Sequence, residues 1–134
     1  MQDRVFLDTN ILLYALSTKE PQKQKIAKDI VLSDAFISTQ VINEVSVNLL
    51  KKFAFSEDDI RKFLSSCYAR YEVVNLNYEL FEIASALREK HMFSYYDSLI
   101  VAAALVSDCT ILYSEDMHHG LSVSKRLQII NPFL

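Results

Sequence analysis

The sequence holds one glycine and two prolines among 134 residues. So little turn chemistry excludes collagen-like chains, flexible linkers and many-turned β architectures, and favours long regular elements, mostly helical. Cysteine is scarce as well. Cys67 and Cys109 have no metal-type spacing and are expected to be reduced core thiols of a cytoplasmic protein. Long apolar runs are missing: the longest, Leu99 to Val106, falls far short of the ~20 residues that span a bilayer. The stretch "MQDRVFLDTN" lacks a basic region followed by an apolar one, so no signal peptide is expected there. Positive charge is not in excess either. Fourteen Lys and Arg against seventeen Asp and Glu leave a net charge of -3 and a pI of 5.6. Charge alone makes this a poor non-specific binder of nucleic acid, so any such role needs local basic patches or bound cations. Basic residues do gather at 19–28, Lys51-Lys52, Arg61-Lys62 and Lys125-Arg126, each readable as a patch or as a solvated helix face.

What the chain does have is apolar residues, 51% of the total, in short runs that alternate with stretches of helical period. "RVFL" (4–7) reads as a strand, followed by a short helical piece, "ILLYAL". A surface helix over 22–32 would bury Ile26, Ala27 and Ile30. "AFIS" (35–38) reads as a strand, after which Ser38 or Thr39 can cap a helix over about 40–53 with Val41, Ile42, Val45 and Leu49 on one face. Ser56 opens the next helix, with acids in its first turn. A strand at 72–76, helices at 78–91 and 94–107, a strand at 110–114 and a last one at 127–130 complete the pattern. The helix at 94–107 is apolar on most sides and so is expected at the centre. Alternating strands and helices predict one α/β domain spanning 1–134, with a largely parallel sheet covered on both faces.

Four acids fall at one kind of place in that pattern. Asp8 ends the first strand and interrupts the apolar run "VFLDTNILLYAL". Glu44 lies in the first turns of the helix leaving the second strand, Asp97 in the first turn of the helix opened by Ser94, and Asp116 just beyond "TILYS". In an open parallel sheet, strand C-termini and helix N-termini share one rim, and ligands bind there. Two carboxylates a few Å apart repel by roughly 2–4 kcal/mol at an effective dielectric of 20. The pairs among four would sum to on the order of 10 kcal/mol, as much as a domain's stability. Either protons or a divalent cation must relieve that, and an all-oxygen set suits Mg²⁺ or Mn²⁺. Each acid also has a bland reading. Asp8 can cap the helix after it, Glu44 can be a helix-edge residue, Ser94 to Asp97 fits a capping pattern, and Asp is common in turns.

Taken together, "FLDTNILLY", "NEV", "YYDSLIVAAAL", "LYSEDMHHG" and "IINPF" resemble the PIN-domain ribonucleases. More narrowly, they resemble the VapC-type toxins of toxin–antitoxin pairs. The resemblance spans nearly the whole chain and implies an α/β/α sandwich around a short, mostly parallel sheet. It implies that Asp8, Glu44, Asp97 and Asp116 are the metal-binding and catalytic acids, with Asn10, Thr9 and Ser114 in support. It further implies Mg²⁺- or Mn²⁺-dependent endonucleolytic cleavage of RNA, often tRNA or rRNA, by a homodimer with a cognate antitoxin; the cysteines and the short apolar runs add the expectation of a cytoplasmic protein with no membrane association. Ser114 stands where Thr is frequent, and Gly120 alone is left for the turn after "DMHH".

In this reading the metal activates a water that attacks the scissile phosphate in line, while Asn10 and Ser114 orient carboxylates or water. His118 and His119 are read as loop residues before general acids. Tyr95 and Tyr96 are expected to pack at the helix start, with base stacking as the alternative. Phe133 and Leu134 are expected in the core or a dimer contact, and the exposed stretch "KFAFSEDDIRKF" (52–63) is a candidate partner face. Two rivals stand beside it. One is a PIN-like binding module of weak catalysis, which loss of rim acids would mark. The other is a magnesium-dependent phosphatase, whose D-x-D requirement Asp8-Thr9-Asn10 does not meet.

Overall fold

The computed structural model describes residues 3–134. Strand β1 (Val5–Leu7) leads into helix α1 (Thr9–Leu16) and then α2 (Pro21–Val31). Strand β2 (Phe36–Ser38) is followed by α3 (Thr39–Lys52), α4 (Glu57–Arg70) and β3 (Glu72–Val74). Helices α5 (Tyr78–Lys90) and α6 (Tyr95–Val106) precede β4 (Ile111–Tyr113), β5 (Ser122–Val123) and β6 (Leu127–Ile130). The sheet order is β3-β2-β1-β4-β6-β5, parallel throughout except for β5. Helices flank this sheet, as the strand–helix alternation predicts. Among the described residues no helix is long and apolar enough to cross a membrane.

The core forms where the apolar pattern is densest. Phe6, Leu7, Ile37, Leu112 and Ile129 on the strands are fully buried, as are Val41, Val45 and Leu49 on α3. Helix α6 is enclosed from Ser98 to Leu105, the central position its apolar surround predicts. Ala102, Ala103 and Ala104 have no exposed surface, and small side chains let neighbouring backbones close in at interior density.

Local sequence sets the element ends. Ser38 caps α3, its hydroxyl accepting from the Val41 N–H at 3.3 Å. Ser56 and Asp59 close a reciprocal capping box on α4, and Asn77 caps α5. Gly120 takes a left-handed φ of 87° in the turn after His119. Glycine being so scarce, Ala54, Asp108, Ser124 and Lys125 also adopt positive φ, a conformation costing an L-residue about 1–2 kcal/mol.

Several expectations need correction. Ile26 is 36% exposed, while Ala27 alone on α2 is fully buried. The hairpin strand β5 carries none of the Asn-Gly chemistry that signals one in sequence. Tyr95 and Tyr96 do not pack into the start of α6: they are 53% and 58% exposed. Phe53, Phe55 and Phe63 tuck against the core, so the 52–63 stretch is less apolar outside than its sequence suggests. Leu134 is exposed, whereas Phe133 packs edge-on against Tyr14 with ring centres 5.1 Å apart. Cys67 and Cys109 are buried free thiols, as expected.

Candidate functional site

Chain order locates the site before any side chain is considered. From β1 the chain steps outward to β2 and β3, then returns to lay β4 on the other side of β1. The strand order reverses between β1 and β4, and in open α/β sheets that switch point is where ligands bind. Asp8 immediately follows β1, and Ser114 and Asp116 follow β4. Asp8, Glu44, Asp97 and Asp116 all line one recess of about 290 Å³ at this rim.

Asp8 is only 4% exposed. One carboxylate oxygen accepts from the Thr9 N–H and the other from the Ser114 hydroxyl, each at 2.7 Å. The Ser114 hydroxyl in turn accepts from the Met117 N–H. Asp8 therefore does cap α1, as its bland reading holds, but half of its bonding ties β1 to the loop after β4. Burial pushes its pKa up to about 7, with the Ser114 and Thr9 bonds pulling down and the charges of Asp97 and Glu44 adding to the rise.

Burial also raises Glu44, whose carboxylate accepts from the Gln40 side-chain amide at 3.0 Å. The Thr9 hydroxyl lies near enough to favour Glu44's charged form yet meets no partner in hydrogen-bonding geometry, and is left as an orphaned buried oxygen. Asp97 is raised by burial first and by the Asp116 charge, against a lowering bond with Ser94. Ser94 caps α6 by accepting from the Asp97 N–H at 3.1 Å. The return bond from the cap's backbone N–H, which closes the box on α4, is not made here. Asp116 accepts from the Asn10 side-chain amide.

Sequence reading missed the rest of the lining. Gln40, Glu44, Asn48 and Lys52 form a polar stripe spaced by four along α3, the signal that could have found it. Glu44, Asn48 and Lys52 all face the recess, and Lys19 lies on it as well. Among the described residues Lys19 and Lys52 make no ion pair. Lys23 is different. It pairs with Glu115 and lies 4.9 Å from the Tyr14 ring centre, while the Tyr14 hydroxyl also donates to Glu115. Burial alone would raise Glu115, but the bonds from Lys23 and Tyr14 outweigh it and leave the carboxyl below its ordinary value. This cluster fastens the loop bearing Asp116 to α1 and α2. His119 is a turn anchor, its Nδ1 accepting from the Asn131 N–H at 2.9 Å.

A roomier recess of about 510 Å³ opens at the other end of the strands, beside Arg4, Ala35 and Glu72. Its cations are occupied: Arg4 donates to the Ser107 carbonyl and Arg70 to that of Val31. The acid recess is the one that gathers Asp8, Glu44, Asp97 and Asp116.

A family model described as PIN domain matches residues 5–119. The chain belongs to the PIN-domain family. The match runs from β1 to the turn after Asp116, so it encloses all four acids of this PIN domain. Solved structures with the same fold include a toxin–antitoxin complex from Klebsiella pneumoniae, 19% identical over 96% of this chain and 97% of that one, with a TM-score of 0.71. Mycobacterium tuberculosis VapC20, a sarcin-ricin loop cleaving toxin, is 17% identical over 84% and 89%, with a TM-score of 0.69. VapBC2 from Rickettsia felis, bound to a DNA fragment from its promoter, is 18% identical over 84% and 86%, with a TM-score of 0.61. No curated protein sequence matches the chain.

Among the described residues, no three His, Cys, Asp or Glu side chains are gathered closely enough to hold an ion as placed. The donor set nevertheless fits a hard divalent cation. It is oxygen only, three of its four acids are pushed toward the neutral form, and the Thr9 oxygen is unpartnered.

Proposed function

We propose that this PIN domain is a divalent-metal-dependent endoribonuclease, the toxin of a toxin–antitoxin pair, with Asp8, Glu44, Asp97 and Asp116 as its metal-binding acids. The observation that carries the reading is the meeting, at the sheet's switch point, of four acids from distant parts of the chain. PIN nucleases generally use divalent ions. The similarity to VapC20, a cleaving toxin, supports the substrate class, and that to the Klebsiella pneumoniae toxin–antitoxin complex supports the partner. Mg²⁺ or Mn²⁺ suits the ligand set, and a cytoplasmic homodimer is the form proposed.

When bound, the ion supplies water activation and charge neutralisation for hydrolysis of a P–O bond. The protein's own residues do the rest. Ser114 and Thr9 hold Asp8 rigidly from both sides. Asn10 and Gln40 hold Asp116 and Glu44 by single amide bonds, which can be exchanged for a cation without breaking the backbone. Lys19 and Lys52, which line the same recess, offer positive charge to the RNA backbone.

The test is cleavage of a mixed cellular RNA pool by the purified protein with Mg²⁺ or Mn²⁺, beside Asp97→Asn and an EDTA control. Discrete fragments that vanish in both controls are expected. Equal cleavage by wild type and Asp97→Asn would reject the four-acid mechanism. Intact RNA throughout, with stable binding to a second protein, would instead favour the binding-module reading.

A further inference from the structure

Beside the acid recess lies a second hollow of about 400 Å³, between α3 and the first turn of α6. The two share Glu44 and Asn48, so they adjoin. The rest of its lining is Gln40, Asn43, Val47 and Tyr96. That composition is unusual for a surface: three carboxamides, one aliphatic side chain and an exposed aromatic ring, with one carboxylate at the side facing the acids. The Asn43 amide is exposed and has no protein partner among the described residues.

Tyr96 is not a loose side chain. Its ring meets that of Tyr95 edge-on, with centres 5.7 Å apart and planes at 82°. The Arg88 guanidinium lies 4.6 Å from the centre of the Tyr95 ring, and Arg88 donates to the Ser98 hydroxyl at 2.7 Å. The chain Ser98–Arg88–Tyr95 thus props Tyr96 from behind, which lowers the entropy lost when a flat ligand stacks on it.

Resting on the nuclease reading of the adjacent acids, we propose that this hollow is a nucleobase subsite for the nucleotide next to the scissile phosphate. Tyr96 is its stacking platform, and Asn43 reads the base edge. An aromatic face stacks any base, while a carboxamide presents a donor and an acceptor that distinguish base edges. Both require a base turned out of a helix, so the substrate class is single-stranded or looped RNA. The subsite makes the cleavage sequence-selective at one position.

The experiment is binding of four short fluorescent single-stranded oligoribonucleotides, differing at one central base, to the full chain in EDTA, followed by cleavage of the same oligonucleotides with Mn²⁺. The proteins are wild type, Tyr96→Ala, Tyr96→Phe, Asn43→Ala and the exposed control Tyr68→Ala, which lines the recess at the other end of the strands. Wild type is expected to prefer one central base severalfold. Tyr96→Ala should weaken binding of all four by roughly fivefold or more, with Tyr96→Phe close to wild type. Asn43→Ala should flatten the preference among bases. Tyr68→Ala should change nothing. Wild-type cleavage with Tyr96→Ala and Asn43→Ala unchanged in affinity and preference would overturn the subsite and leave the nuclease intact. RNA neither bound nor cut by wild type would overturn both.

Discussion

Asp8 carries the site's largest conflict between burial and charge. Its pKa rises from the ordinary 3.8 to about 7 because burial penalises the carboxylate. The folded protein therefore holds this proton at pH values where the unfolded chain has lost it. Stability in metal-free buffer falls as pH rises between about 4 and 7, by on the order of 4 kcal/mol in all. Burial of Glu44 and Asp97 acts in the same direction. Asp8→Asn removes the Asp8 share, so the difference between variant and wild type in urea-melt stability should widen with pH toward about 8. A wild-type protein whose stability climbs over this range relative to Asp8→Asn would contradict the assignment. The identity of the acid was plain in the sequence, because an Asp inside an apolar run must be bonded or functional. Its two roles were not, since Ser114 lies 106 positions away and only the parallel pairing of β1 with β4 brings it near.

Elements show the same division between local and distant signals. Caps at Ser38, Ser56, Asn77 and Ser94 follow from side chains within three residues, and helix placement was legible for that reason. What escaped was what depends on phase or on a missing signal: the stripe Gln40-Glu44-Asn48-Lys52 facing the recess, the outward turn of Ile26, and the β5–β6 turn. There Ser124 and Lys125 take the left-handed positions that Asn and Gly usually fill. Ser94 offers an element-scale test. Its hydroxyl bonds the backbone of Asp97, so Ser94→Ala should cost about 1 kcal/mol of stability. RNA cleavage should fall further than the melting curve accounts for at the assay temperature, because the first turn of α6 loosens where Asp97 is held. A loss of cleavage that tracks unfolding alone would make Ser94 a cap and nothing more.

At the scale of the molecule, a net charge of -3 must be reconciled with an anionic substrate. The charge is not evenly spread: among the described residues Lys19 and Lys52 stand on the recess without an ion-pair partner, while the pairs of Arg61 and Lys62 with Asp58 lie on exposed helix surface and contribute little. Binding of single-stranded RNA should depend on salt weakly, with a log–log slope near about -1.4 for two phosphate contacts. Lys19→Ala or Lys52→Ala should each make that slope shallower by about 0.7. Fluorescence anisotropy over a salt series measures it, and slopes unchanged in both variants would remove these lysines from the RNA path. The fold class was legible from strand–helix alternation. The placement of these lysines was not, because it depends on where α1 ends and on the helical phase of α3.

The central claim is that the rim acids form a divalent-metal centre, and calorimetric titration of Mn²⁺ into the metal-free protein tests it most directly. At about pH 6 in buffers of different ionisation enthalpy, binding should release close to one proton, most of it from Asp8, whose pKa lies near 7. Release should vanish at about pH 8.5, and Asp8→Asn should lose both the tight binding and the proton. Mn²⁺ binding that is absent in wild type, or unchanged in Asp8→Asn, would contradict the account.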